Sequence, residues 1–337
     1  MRIGLMGFGR IGRNIFRILD EMEDGAEVVA ISDIANHESL EYLLQYDTIM
    51  GRLNHRVRLK EGYLYSRGRQ IKMLSGRDAG DVTWGHWDVD VVIEARGLAP
   101  TRLEAQVHLK SGAKRIISCV PTLGGGDYQV VMGLNDEGLT SEHKIIDSAP
   151  VQTQCSALSL DILDKAFGIE HVFLSTVHAY TNDQSLADVP SKDLRRSRAA
   201  RENIIPLDLK LSKNLELLFP HLEGKIKDLA LKVPVPNGSM VDLVVSTKRE
   251  VSVTAVNEVM RSAIEAKYPN YMEFIDEPIV SSDVQLSTFS NSFDSLATMC
   301  LGDRLVKTVS WFDDGTGTAH RVVNLLDKLG ESEGGLL

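Results

Sequence analysis

Cysteine is scarce in this chain: Cys119, Cys155 and Cys300 are the only three among 337 residues. An odd and small number makes no disulfide framework, and the three show no close metal-ligand spacing, so they suit a reducing cytosol. Long apolar runs are also missing. None approaches the ~18–20 residues of a spanning helix, so no membrane partner is expected. Positive charge is in deficit: 37 Lys and Arg against 47 Asp and Glu give a net charge of −10. A chain this acidic is a poor candidate for nucleic-acid binding, which needs a basic face. No internal repeat or low-complexity tract stands out, and the start shows no charged leader with a cleavage site, so a cytoplasmic protein is expected. What remains is 43% hydrophobic and 25% charged, an ordinary globular balance, with enough length for two domains at ~100–200 residues each.

The first positive signal is at the N-terminus. Arg2–Met6 reads as a short buried strand, Gly7-Phe8-Gly9-Arg10-Ile11-Gly12 follows, and Arg13–Glu21 has apolar residues Ile15, Phe16 and Leu19 at helical spacing. A second apolar run, Val28–Ile31, ends at Ser32-Asp33, 21 residues after Gly12. Strand, glycine turn, helix, strand and acid in this order form a dinucleotide-binding fingerprint. The glycines let the backbone approach a pyrophosphate, Arg10, Ile11 and Gly12 open the helix whose N–H groups face it, and Asp33 accepts from ribose hydroxyls. A carboxylate there repels a 2′-phosphate, which favours NAD over NADP.

Further strands at Val89–Glu94 and Arg115–Ser118 flank a helix over Thr101–Ser111 with Leu103, Val107 and Leu109 as its apolar positions. In a parallel sheet the strand ends rim one crevice, so Asp33, Arg96, Ser118 and Cys119 are expected around it. The second half reads differently. A helix from near Val151 leads to a strand Val172–His178 and then to a long polar segment, Thr181–Asn203. Such a loop is usually functional. Strands at Leu229–Val233, Val241–Ser246, Ala297–Cys300 and Val306–Trp311 have few helices between them, which suggests an antiparallel sheet. A last helix covers about Thr318–Leu329. The expected class is α/β: a Rossmann-type doubly wound parallel sheet over residues 1–150, completed by the C-terminal helix (about 316–330), and an α+β domain with a mainly antiparallel sheet over 151–315.

The chain resembles the phosphorylating glyceraldehyde-3-phosphate dehydrogenases over nearly its whole length. The resemblance is carried by Gly7–Arg13, Tyr46-Asp47, Gly51-Arg52, Arg77-Asp78, Thr176–Gln184, Val189-Pro190, Lys192–Arg196, Ala199-Ala200, Asn203–Pro206, Val233-Pro234, Pro236-Asn237, Val241–Val244 and Ser310–Asp313. It implies an NAD domain with Arg77 near the adenine end, a catalytic domain, and a homotetramer. It also implies that His178 is the base and that Thr181, Arg195 and Lys232 bind an anion.

Departures from the family pattern cluster in one place. The family's Ser-Cys-Thr-Thr-Asn-Cys aligns with Pro150–Cys155, which puts Val151 at the position of the nucleophile. The family thioester needs a thiolate at a helix N-terminus, and valine cannot add to a carbonyl. Cys155, one helical turn on, matches a family cysteine that is not the nucleophile. Cys119 reads mainly as a small hydrophobe with a lesser chance of facing the nicotinamide, and Cys300 reads as core. The family's phosphate-binding Thr-Gly aligns with Leu209-Lys210, leaving Lys210 as a candidate anion ligand. Its anion-binding Arg aligns with Lys232, its nicotinamide-holding Asn with Asp314, the Tyr beside that Asn with Thr318, and a cofactor-side Thr with Arg96. Arg96 reads evenly as a solvated rim charge or an anion ligand, and Asp183 as an acid orienting substrate hydroxyls or a solvated loop charge.

Two functions from different classes follow. One is an NAD-dependent oxidoreductase of a small phosphorylated aldehyde or alcohol, with His178 as general base and no thioester. The other is a catalytically silent NAD-binding regulator or assembly protein.

Overall fold

The computed structural model describes residues 1–181 and 184–331, so Asp183 lies outside the described residues. The chain divides into two compact units, one of Met1–Pro150 with the residues from Thr318 onward, the other of Val151–Gly317.

The first unit contains β1 (Arg2–Met6), α1 (Arg10–Glu21), β2 (Glu27–Ser32), α2 (His37–Gln45), a ribbon of β3 (Tyr46–Asp47) and β4 (Gly51–Arg52), β5 (Arg58–Lys60), β6 (Tyr63–Ser66), β7 (Arg69–Leu74), β8 (Val91–Glu94), α3 (Arg102–Lys110), β9 (Arg115–Ser118), β10 (Tyr128–Val130) and β11 (Ile145–Ser148). Its nine-stranded sheet has the order β10-β11-β9-β8-β1-β2-β7-β6-β5. Every neighbour pair from β10 to β7 is parallel, and only the β7-β6-β5 edge is antiparallel. The central strands are short apolar runs because both of their faces are covered: Ile3, Leu5, Ile31, Val91, Val92 and Ile93 are all inaccessible. The chain leaves β1 toward β2 on one side and later returns as β8 on the other, so a topological switch point opens beside β1. Met6 pairs with both Ser32 and Glu94. The residues that follow, Gly7, Asp33 and Ala95, are thereby delivered to one place.

Helix α3 corrects one expectation. Leu103 points outward at 66% exposure, while Ala105 and His108 form the buried face. The apolar spacing misleads because His108 has hydrogen-bond partners inside. Thr101 caps α3 in a box with Glu104.

The second unit contains α4 (Val151–Phe167), β12 (Ile169–Ala179), β13 (Ile205–Leu207), α5 (Leu211–Leu218), β14 (Ile226–Val233), β15 (Ser239–Thr247), α6 (Val253–Lys267), β16 (Met272–Ile275), β17 (Asn291–Leu301) and β18 (Leu305–Phe312). The last helix, α7 (Thr316–Glu331), begins here and continues into the first unit. The seven-stranded sheet has the order β13-β14-β12-β15-β18-β17-β16 and is mainly antiparallel, with parallel pairs only at β12-β14 and β16-β17. Strand β12 alternates: Val172, Leu174, Thr176 and His178 are buried, whereas Phe173 is 68% exposed. Helix α4 packs on β12, β15, β17 and β18 and against α5 and α6, so most of its residues are buried. The described part of the long polar segment, residues 184–203, holds neither strand nor helix.

Candidate functional site

In the first unit the ends of β1, β2 and β8 open a cavity of about 350 Å³, lined by Gly7, Gly9, Asp33, Arg77 and Arg96 among others. Gly7 has φ +96° and the Cβ of any other residue would lie 2.6 Å from the Arg96 nitrogen, so only glycine fits. At Gly12 an added Cβ would lie 2.3 Å from the Gly7 carbonyl oxygen, which shows how closely α1 approaches the loop. Gly9 precedes α1 with no side-chain cap, and a Cβ there would meet nothing within 4 Å. The first N–H groups of α1 therefore remain available to an anion. Asp33 accepts from the Phe8 N–H at 2.7 Å through Oδ2 and from the Ala35 N–H at 2.8 Å through Oδ1. It thus ties β2 to the glycine loop, and each oxygen keeps a second lone pair for a ribose hydroxyl. Ile34 (69% exposed) and Leu98 (70%) give the cavity apolar walls suited to a flat base. These features fit a dinucleotide such as NAD. Arg77 is exposed at its rim. Arg10 and Ile11, half-buried, open the first turn of α1.

Arg96 lines the cavity but is not a solvated rim charge. Its Nε donates to both Glu94 oxygens at 2.9 and 3.0 Å, Nη2 lies 2.8 Å from Glu94 Oε2, and Nη1 donates to the Arg77 carbonyl at 3.0 Å. Glu94 is buried. Burial pushes its carboxyl up, but His108 and Arg96 outweigh that and hold it below the usual range. Trp84 Nε1 donates to His108 Nδ1 at 2.8 Å, which leaves the ring proton on Nε2 for Glu94 at 3.3 Å. The chain Trp84, His108, Glu94, Arg96 thus runs from the core of the first unit to the cavity wall. Glu94 and His108 were not singled out in the sequence. The signals were an acid ending an apolar run and a histidine on the buried face of α3. Ser118 is buried and donates its hydroxyl to the Val120 carbonyl, outside the cavity lining. Cys119 also lies outside it, and burial with the nearby Glu94 charge pushes its thiol up.

In the second unit β12 and β14 are parallel neighbours, and His178 pairs directly with Lys232. Both side chains are buried. Lys232 Nζ donates to the Ala179 carbonyl at 3.0 Å and the Thr181 hydroxyl at 3.2 Å. His178 Nδ1 lies 3.3 Å from Asp314 Oδ1, while its Nε2 is buried with no hydrogen-bond partner among the described residues. Since ionised Asp314 can only accept, Nδ1 is the donor in this contact, and Nε2 is the ring nitrogen left without a partner. The Ser239 hydroxyl donates to Asp314 Oδ2. Both carboxylate oxygens are therefore engaged within this unit, a partnership that the alignment of Asp314 with a nicotinamide-holding Asn did not anticipate.

Val151 is the first residue of α4 and 4% exposed, with its Cγ2 close against Gly317. Cys155 is fully buried along the same helix, and burial pushes its thiol well up, as it also raises that of Cys300. Lys210, exposed and left-handed at φ 52°, stands just before α5. Arg195 is exposed, and its guanidinium has no partner among the described residues. Among the described residues no group of three or more His, Cys, Asp or Glu is placed to hold a metal, and no helix is long and apolar enough to cross a membrane.

Two family models match this chain. "Glyceraldehyde 3-phosphate dehydrogenase, NAD binding domain" covers residues 1–102, and "Glyceraldehyde 3-phosphate dehydrogenase, C-terminal domain" covers residues 151–314. The glyceraldehyde-3-phosphate dehydrogenase of Geobacillus stearothermophilus is 40% identical over 326 residues, 96% of this chain and 97% of that one. Glyceraldehyde-3-phosphate dehydrogenase 2 of Bacillus subtilis is 41% identical over 327 residues, 97% of this chain and 96% of that one. The glyceraldehyde-3-phosphate dehydrogenase of Streptomyces coelicolor is 41% identical over 327 residues, with 96% and 97% covered.

Proposed function

Since the chain belongs to the glyceraldehyde-3-phosphate dehydrogenase family and uses NAD, we propose that this dehydrogenase acts on a small phosphorylated aldehyde or alcohol without the family's cysteine thioester route. The observation that carries the reading is the buried, unpaired Nε2 of His178 beside the buried cation of Lys232. Glycines 7, 9 and 12, the α1 N-terminus, Asp33 and Arg77 would hold NAD, which when bound supplies a hydride acceptor or donor. His178 Nε2 takes the proton of a substrate hydroxyl, or of a water adding to an aldehyde, and returns it in the reverse direction. Lys232, Thr181 and Arg195 supply positive charge and a hydroxyl for the substrate's anionic group, with Lys210 as a further candidate, and Asp183 is the candidate for orienting substrate hydroxyls. Lys232 does so as a point charge without the fork of an arginine.

The test is NADH absorbance across a panel of phosphorylated aldehydes and alcohols. Turnover should appear with at least one, and His178→Asn should reduce it about 100-fold or more. No turnover on any member, with NAD binding intact by calorimetry, would instead favour the silent regulator, whose stable partner could then be sought in its host. Val151→Cys should not restore glyceraldehyde-3-phosphate oxidation, because Leu209, Lys210 and Lys232 also differ from the family pattern. Full restoration would mean that those changes are neutral and would favour a recent loss of activity.

A cytoplasmic homotetramer is proposed with it. Exposed Phe173 and Met299 lie in one row across the outer sheet face through Val244 and Lys307, which supports burial against another copy. Sedimentation at the monomer mass would refute it.

A further inference from the structure

The two ring nitrogens of His178 have opposite surroundings. Nδ1 faces the Asp314 carboxylate, and Nε2 is buried with no hydrogen-bond partner among the described residues. We propose that Asp314 is a positioning residue for His178, holding the proton on Nδ1 and giving counter-charge to the imidazolium formed when Nε2 takes a proton. This rests on the reading of His178 as base.

Three features fix Asp314 and the His178 ring for such a role. Ser239 donates its hydroxyl to Asp314 Oδ2, while its Oγ accepts the Ala179 N–H at 3.1 Å, so one serine joins the carboxylate to the residue after His178. The neighbouring Asp313 pins the turn: Oδ1 accepts from Gly315 and Thr316 at 2.8 and 2.6 Å, and Oδ2 accepts from Leu286 at 2.8 Å and from the Asn237 amide. Phe312 sets its ring edge-on to the imidazole at 5.8 Å. The electrostatics agree. Burial pushes the Asp314 carboxyl up, but His178, Ser239 and the Lys232 charge outweigh it, so the group stays ionised.

The competing role, a hold on the nicotinamide amide, suits an asparagine better. An amide side chain both donates and accepts, whereas a carboxylate with both oxygens engaged offers only spare lone pairs. In a base without a thiolate neighbour, an ionised partner on the far nitrogen compensates the charge that the ring acquires. The proton accounting closes within the pair: the substrate hydroxyl loses a proton, Nε2 gains it, and Nδ1 keeps its own.

The test uses the full chain with NAD, labelled with 15N-histidine, and nitrogen–proton correlation spectra of the imidazoles. The His178 signals are assigned by their loss in His178→Asn. In the wild type at neutral pH they should show a proton on Nδ1 and a bare Nε2. In Asp314→Ala the proton should move substantially to Nε2. kcat on the panel substrate should fall about 100-fold or more while the KM for NAD stays within about threefold. Ser239→Ala, which keeps the carboxylate but frees it, should show a mixture of tautomers. It carries the test if Asp314→Ala does not fold, as judged by NAD binding in a calorimeter.

A wild-type proton on Nε2, or an unchanged spectrum in both variants, overturns the proposal. Turnover that needs His178 but not Asp314 overturns it while sparing the oxidoreductase reading. Absence of any turnover with the Nδ1 proton in place removes that reading and supports the tautomer assignment.

Discussion

At position 96 the guanidinium fork is spent on a buried neighbour two residues back and on a backbone carbonyl, so the Arg96 charge faces inward. Removing it would leave Glu94 with His108 as its remaining side-chain partner. Arg96→Ala should therefore lower stability by about 2 kcal/mol, less than the ~3–5 kcal/mol of a fully orphaned buried charge. Arg96→Lys should recover only part of this, because a point charge cannot span both oxygens. Urea unfolding measures both, and equal stability of Arg96→Ala and wild type would refute the assignment. The place of Asp33 at the cavity was legible in the sequence because it depends on spacing along one βαβ unit. Asp314 was not, because the histidine it touches is 136 residues away. The family pattern pointed Asp314 at the nicotinamide, and only the folded sheet shows its contact with His178.

Helix α1 is held against the glycine loop so tightly that a single methyl does not fit. Gly12→Ala must displace α1 from Gly7, which should cost about 1–3 kcal/mol and weaken NAD binding about tenfold or more, read by calorimetry. Unchanged affinity would mean that the α1 N-terminus does not receive the pyrophosphate. Elements with clean periodicity, β1, β2 and β12, read correctly from the sequence. Strand β17 is longer than expected: only Ala297–Cys300 looked strand-like, yet it begins at Asn291. Its first half is buried and polar, and its polarity hides the strand. Asn291 donates to the Cys155 carbonyl, Ser292 to Glu273, and Ser295 to the Ile275 carbonyl. Those partners come from distant segments, so no local pattern announces them.

Across the whole molecule, depressed carboxyls occur in both units: Glu94 in the first, Asp161 and Asp314 in the second. In each, burial pushes the group up and its donors or cations win. An unfolded chain binds protons on these groups before the folded one does. Their contribution is therefore full at neutral pH and is lost as pH falls below about 4 and through the lowered folded values. Asp147, raised by burial, acts in the opposite direction but is outnumbered. The urea midpoint should fall steadily from pH 5 to pH 3, and Glu94→Gln should flatten that slope. A midpoint constant over this range would contradict the assignment.

The first unit is discontinuous in the chain: Met1–Pro150 is completed by the residues from Thr318 onward. Val322, Val323, Leu325, Leu326 and Leu329 of α7 are all buried. On a ribosome adding roughly 5–20 residues per second, the dinucleotide-binding unit waits on the order of ten seconds or more for this helix while all of Val151–Gly317 is made. During that interval the apolar surface that α7 will cover stands open. The nascent chain is thus most exposed to aggregation late in its synthesis, after the second unit has been made and before the last helix of the first arrives.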